Sequence, residues 1–184
     1  MPYICVFCGS QAGSNGLYKQ AAIDLGQLLA HSGYGLVYGG GQVGLMGVIA
    51  DAVLASGGEV IGVIPETMVA RELAHTGVTR LQVVSGMHER KARMAALADA
   101  FIALPGGYGT FEELFEVITW AQLGLHRKPI GLLNVAGYFS ALAALVEHAI
   151  AEGFIRPEHG RLLSSSDDPA TLLAMLGLGP GHGR

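Results

Sequence analysis

Cationic side chains are scarce in this sequence. Lysine and arginine together number 11 in 184 residues, and the formal net charge is −4. With no basic run and no aromatic platform, no nucleic-acid partner is expected. Lysine is the scarcest cation, present only as Lys19, Lys91 and Lys128. Cysteine is nearly absent as well. Cys5 and Cys8 form a C-x-x-C pattern, and a redox pair of that kind sits at a helix N-terminus. Here both lie in Tyr3-Ile4-Cys5-Val6-Phe7-Cys8, which reads as a strand. Strand residues at that spacing point to opposite faces, so the two are predicted to be buried apolar thiols that do not meet. Long hydrophobic runs are missing too. Every apolar stretch is broken by Gly, Pro or charge well short of about 18 residues, so no membrane span is expected. The opening Met1-Pro2-Tyr3-Ile4-Cys5 lacks the charged region of a signal peptide, and a cytoplasmic location is expected. Repeats, linkers and low-complexity tracts are absent, and the length suits one domain.

What is abundant is apolar residues, at 51%, and glycine, at 28 residues. Mean hydropathy is +0.43, enough for a large core. The glycines fall at turns between apolar segments. Strands are predicted at Tyr3–Cys8, Tyr34–Tyr38, Glu59–Ile64, Leu81–Val84, Ala100–Leu104 and Lys128–Leu133, with a last short one near Leu162. Helical spacing marks Gly16–His31, Gly44–Ser56, a stretch opening after Ser85, Phe111–Leu123, Tyr138–Glu152 and a capped segment ending at Leu176. Strands alternate with helices, and several strands are apolar on both faces. This predicts an α/β, Rossmann-like doubly wound parallel sheet with helices on both faces. Residues 1–176 are expected to form the single domain, and residues 177–184 a frayed, disordered tail.

The chain is organised around Leu104-Pro105-Gly106-Gly107-Tyr108-Gly109-Thr110-Phe111-Glu112-Glu113. These glycines lie at a strand-to-helix turn, where backbone N–H groups and the helix dipole converge on an anion. Thr110 is expected to cap the helix, with Glu112 and Glu113 in its first turn. A phosphate cradle beside an acid suggests chemistry on a phosphorylated small molecule, although a plain glycine turn with dipole-friendly acids has the same composition. A second turn, Gly39-Gly40-Gly41-Gln42-Val43-Gly44, matches G-x-G-x-x-G. The dinucleotide fingerprint also needs an acid ending the following strand. Glu59 instead begins that strand and Glu66 follows a proline, so NAD is the lesser reading and close approach of a nucleotide the greater. In a third turn, Ser10 and Ser14 either touch a ligand or cap the next helix. Arg71 and Glu72 are candidate contacts or a solvated turn. Arg90 and Lys91 open a helix where the dipole disfavours cations, which suggests an anionic partner or a solvated face. All three glycine turns are predicted to line one crevice at the topological switch point.

Three motifs together carry a resemblance: Gly39 to Gly47, Met87-His88-Glu89-Arg90-Lys91, and Pro105 to Glu113. The chain resembles the LONELY GUY (LOG) family of cytokinin riboside 5′-monophosphate phosphoribohydrolases, sequences of a kind often labelled lysine decarboxylase. The likeness runs from about Cys5 to Leu163, with Thr119-Trp120-Ala121-Gln122-Leu123-Gly124 and Gly131-Leu132-Leu133-Asn134 inside it. It implies hydrolysis of the N-glycosidic bond of an adenine-type nucleoside 5′-monophosphate, giving free base and ribose 5-phosphate. It implies Arg90 and Glu113 as the catalytic pair. It implies Glu72, Lys91, the turn of Gly107, Tyr108, Gly109 and Thr110, Glu112 and Thr119 as nucleotide-binding positions. Gly106, Ser10, Gly40 and Gly41 join them as candidates from the glycine turns. A homodimer or larger assembly is implied, and no cofactor or metal is expected.

On this reading the turn and Thr110 hold the 5′-phosphate, and Glu113 faces positive charge building on the sugar. Glu112 and Glu113 are about 100° apart on a helix, so Glu112 is expected to bind ribose hydroxyls or phosphate-side groups instead. Arg90 would pair with Glu113 or with phosphate. A decarboxylase would need pyridoxal phosphate on one of three lysines. A non-catalytic nucleotide-binding or carrier module of Rossmann type is the alternative function.

Overall fold

The computed structural model describes residues 1–70 and 73–178. Seven strands form one wholly parallel sheet: β1 (Tyr3–Phe7), β2 (Gly35–Tyr38), β3 (Val60–Pro65), β4 (Arg80–Val84), β5 (Ala100–Ala103), β6 (Ile130–Leu133) and β7 (Leu163–Ser166). Their order across the sheet is β4-β3-β2-β1-β5-β6-β7. The winding therefore reverses between β1 and β5, which pair from Ile4↔Ala100 to Phe7↔Ala103. Loops leaving those two strands diverge to opposite sides and open a crevice at their carboxyl ends.

Among the described residues, six α-helices cover the sheet: α1 (Gly16–His31), α2 (Gly44–Ala55), α3 (Met87–Leu97), α4 (Tyr108–Gln122), α5 (Ser140–Ala151) and α6 (Pro169–Met175). Strand residues alternate between two cores. Ile4, Val6, Leu36, Tyr38 and Ile102 pack with Leu25 and Leu29 of α1, Ile49 and Val53 of α2 and Leu172 of α6. Cys5, Phe7, Val37, Phe101 and Leu132 pack with Met94 of α3, Leu114 and Val117 of α4 and Phe139. Every residue of β2, β5 and β6 is buried, as a sheet covered on both faces requires. The doubly wound α/β expectation holds. So does that for the cysteines: both are free and buried, one in each core.

Five of the 28 glycines have one structural role. Five helices end on a glycine at positive φ: Gly33, Gly57, Gly124, Gly153 and Gly177. At each, the next N–H reaches back to the carbonyl five residues earlier, as Tyr34 does to Leu29 at 2.9 Å. This left-handed helix stop satisfies the last carbonyls at little steric cost to glycine. At Gly177, Leu178 N–H donates to Leu173 O at 2.8 Å, and Leu178 packs on the core. The rest of the expected tail, 179–184, lies outside the described residues. Among the described residues, no helix is long and apolar enough to cross a membrane.

Candidate functional site at the switch point

The glycine turns after β1, β2 and β5 meet at one crevice of about 250 Å³, to which Gly9, Gly39, Gly107 and Gly109 contribute. The helix N-termini around it are mostly occupied. Asn15 caps α1, accepting from Leu17 N–H at 3.0 Å, so the capping role weighed for Ser10 and Ser14 falls to neither. At α2, Leu45 N–H donates to Gly9 O at 3.0 Å. At α3, Glu89 accepts from the Ser85 N–H at 2.9 Å and from its hydroxyl at 2.7 Å, bonds that hold its carboxyl below the usual range. α4, like α2 and α3, has no side-chain cap; its N-cap is Gly107.

α4 also starts earlier than its periodicity suggests, at Tyr108 instead of Phe111. Thr110 is therefore inside the first turn and not its cap, and Glu112 and Glu113 belong to the second turn. Thr110 is 3% exposed because Gly106 leaves room for it. A methyl on Gly106 would collide with the Thr110 side chain and come within 2.8 Å of Gly9 N. The first-turn residues Tyr108, Gly109 and Thr110 line the crevice, with their N–H groups among the helix's orphan donors. The Tyr108 ring stands in solvent, 93% exposed.

Arg90 is buried, at 4% exposure. Its Nε donates to Val63 O at 3.1 Å and its Nη2 to Gly39 O at 2.6 Å. Nη1 lies 3.8 Å from Met87 Sδ. The guanidinium is thereby fixed across the carboxyl ends of β2 and β3, on the crevice wall. Gly39 makes this possible, since a side chain there would occupy the guanidinium's place. Glu113 is half-buried on the same crevice. Cys5 and Cys8 feel its charge: burial first, then Glu113, pushes both thiols well above their usual range.

Glu112 lines the crevice too, but its carboxylate pairs with Lys91 Nζ, which also reaches Glu116 at 3.1 Å. These bonds, with Glu112 foremost, raise the Lys91 ammonium above its usual value. The anionic partner of Lys91 is thus supplied by α4 itself. Several predicted residues do not line this crevice. Gly40, at φ +78, packs against Ile64 and Leu81. Gly41 forms an isolated antiparallel bridge with Ala74. Thr119 is three turns along α4, its hydroxyl donating to Phe115 O at 2.7 Å. Gly106 belongs to a neighbouring cavity, and Ser10 lines both. Arg71 and Glu72 lie outside the described residues.

Sequence reasoning missed the apolar part of the site. Met46, Met68 and Met87 come from three separate segments to line the crevice with Val6 and Phe7. No periodicity links them. Among the described residues, no group of three or more His, Cys, Asp and Glu could hold a metal ion. The lysines do not suit pyridoxal phosphate. Lys91 is bound by carboxylates, Lys128 Nζ donates to Ala95 O at 2.7 Å, Lys19 lies exposed on α1, and none lines either cavity.

Comparison with known proteins adds to this geometry. A family model described as "Possible lysine decarboxylase" matches residues 46–176. A cytokinin riboside 5′-monophosphate phosphoribohydrolase of Arabidopsis thaliana is 54% identical over 173 residues, covering 94% of this chain and 81% of that protein. One of Oryza sativa subsp. japonica is 52% identical, covering 94% of this chain and 72% of its own length. Among solved structures, a molybdenum cofactor binding protein from the phototrophic bacterium Rippkaea orientalis aligns with a TM-score of 0.72 at 23% identity, covering 96% of this chain and 95% of that one. At that identity the likeness speaks for the fold alone.

Proposed function

The chain belongs to the LOG family, and from that premise we propose that it hydrolyses cytokinin riboside 5′-monophosphates. Water adds its hydroxyl to C1′ of the ribose, the C1′–N9 bond breaks, and the base leaves carrying the other proton. The products are the free N6-modified adenine and ribose 5-phosphate. AMP is a candidate substrate of the same chemistry.

One observation carries the reading beyond family membership: Glu113 lines the crevice opened by the uncapped N-terminus of α4. A carboxylate there repels an anionic ligand, so it works against simple binding. It becomes favourable only where positive charge develops, as on the sugar when a glycosidic bond breaks. The open donors of Gly107, Tyr108, Gly109 and Thr110 take the 5′-phosphate. This anchors the ribose, and such positioning can supply several kcal/mol of barrier lowering. Glu113 then faces C1′, stabilising its charge or orienting the water. Arg90, fixed by two backbone carbonyls, supplies a positive charge that keeps nearby carboxylate ionised. Met46, Met68 and Met87 offer a polarizable, adaptable wall suited to a base with a hydrocarbon N6 group.

The test is Glu113→Gln, assayed by chromatography of released base from AMP and isopentenyladenosine monophosphate. Turnover should fall by about 10²-fold or more, while the monophosphate binds as well or better because an opposing charge is gone. Weakened binding with turnover retained would exclude this role. We place the enzyme in the cytoplasm and as a homodimer or larger. Phe115, Leu123 and Leu125, exposed at 39%, 65% and 70% along α4 and its end, give a second copy an apolar face. Light scattering in solution measures that directly.

A further inference from the structure

The peptide joining Gly106 to Gly107 is a partition. On one side is the crevice, lined by Gly107. On the other is a second cavity of about 270 Å³, lined by Gly106, Gly107, Tyr18 and Tyr138 among others. A peptide between two glycines meets little steric resistance to flipping, because neither neighbour carries a Cβ. Its two orientations have opposite consequences. A trans peptide is planar, and its C=O and N–H point in opposite directions. One orientation offers an N–H to the crevice, and the other offers a carbonyl oxygen.

Tyr138 decides between them. Its hydroxyl donates to Gly106 O from the side of the second cavity. With that oxygen held there, the Gly107 N–H of the same plane is directed to the crevice. The tyrosine is itself braced. Its ring meets Tyr18 edge-on at 5.7 Å and Phe139 at 5.1 Å. The turn before it is pinned by Asn134, whose Oδ1 accepts from Phe139 N–H at 2.7 Å. Ala136 and Gly137, at φ 52° and 73°, complete that turn. The hydroxyl thus reaches Gly106 from a rigid mount, across 32 residues of sequence.

We propose that Tyr138 is a positioning residue: its hydroxyl sets the Gly106–Gly107 peptide so that the Gly107 N–H completes the cradle for the substrate's phosphate. This rests on the placement of the phosphate at α4 given above. Without the hydroxyl the peptide is free to turn its oxygen toward the anion, and affinity for phosphate falls.

The experiment is calorimetric titration of ribose 5-phosphate into the wild type and Tyr138→Phe, with the Gly107 amide followed by NMR in both. Phenylalanine keeps the ring contacts with Tyr18 and Phe139 and removes only the donor, and urea unfolding midpoints report whether the fold is intact. The expected result is an affinity about tenfold lower, equivalent to about 1.4 kcal/mol. The ligand-induced shift of the Gly107 resonance should be lost while those of Gly109 and Thr110 remain. A general loss of structure would move all three. Unchanged affinity in Tyr138→Phe, a Gly107 resonance that still responds as in the wild type, or a wild type that fails to bind ribose 5-phosphate each overturns the proposal. A wild type that binds ribose 5-phosphate through Tyr138 yet releases no base from any monophosphate would overturn the hydrolase reading and leave this one standing.

Discussion

Gly39→Ala tests the site without touching a residue that meets substrate chemistry. Gly39 lies directly after β2, and its carbonyl accepts from Arg90 Nη2 at 2.6 Å. A methyl there would be built onto the guanidinium and within 3.1 Å of Met46 Sδ. Its backbone lies outside the left-handed region, so the alanine is opposed by space and not by φ. The arginine must therefore move. Hydrogen bonds to a charged group are worth about 1.5–3 kcal/mol each, and Arg90 has two such bonds to backbone carbonyls. Because the displaced side chain can turn into the open crevice and find water, the net loss should resemble ordinary overpacking, about 1–3 kcal/mol. For a chain of this size that lowers the melting temperature by roughly 3–9 °C. The cost to catalysis should be larger. Losing one preplaced electrostatic group typically reduces kcat by about 10²–10³. Two assays on one variant separate these effects: thermal melting and chromatographic base release well below the lowered melting point. A folded Gly39→Ala enzyme with kcat within about threefold of the wild type would show that the seat of Arg90 does not matter to the reaction, and the argument for Gly39 would fail with it.

Gly106→Ala places a methyl against Thr110 and Gly9 N. It should distort the cradle and raise KM for the monophosphate at least tenfold, a result steady-state kinetics would check. Lys91 gives a pH prediction. Its folded-state value is raised by Glu112 and Glu116 above the usual 10.5, so its stabilisation is full below about 10.5 and is lost as pH climbs through the raised value. Unfolding midpoints should therefore fall more steeply above pH 10.5 in the wild type than in Lys91→Met, and parallel curves would refute the ion-pair account.

Much of this fold is legible in the sequence because its strands are buried on both faces and its helices stop at glycine. Those are local signals, readable within a short window. Cys5 and Cys8 were separable for the same reason, since the period of a strand alone puts them in different cores. α4 shows where local reading fails. Tyr108, Gly109 and Thr110 favour helix weakly, so periodicity begins it only at Phe111, and the cradle residues read as a turn with Thr110 as the cap. The site divides in the same way. The glycine turns, Arg90 and Glu113 stand out by composition and spacing. The reason for Gly39 does not, because the side chain that needs the space is 51 residues away. Nor does Tyr138, which reads as the first residue of a helix. Lys91 misled in another manner: a cation near a helix start does call for an anion, but two carboxylates of α4 already supply it.

The G-x-G-x-x-G of Gly39 to Gly44 illustrates how a motif can match while its usual physics is absent. In a dinucleotide site the helix that follows offers its N-terminus to a pyrophosphate. Here Gly9 O already occupies the N–H of Leu45, and the Gly44 backbone packs directly on Ser10 and Gln11. Gly39 admits an arginine instead of a ligand. The same test applied around the crevice disposes of the other helices. Asn15 fills the start of α1, and Glu89 brings its negative charge to the start of α3. α4 reaches this crevice without a side-chain cap, as α2 and α3 do, but its N-cap Gly107 and first-turn Gly109 carry no side chains to screen the donors. The anion is thus directed to α4 by the filling of the alternatives as much as by its own motif. The shared sheet of the molybdenum cofactor binding protein cannot supply that distinction. It arises from individual contacts at helix starts, which a fold leaves free to vary.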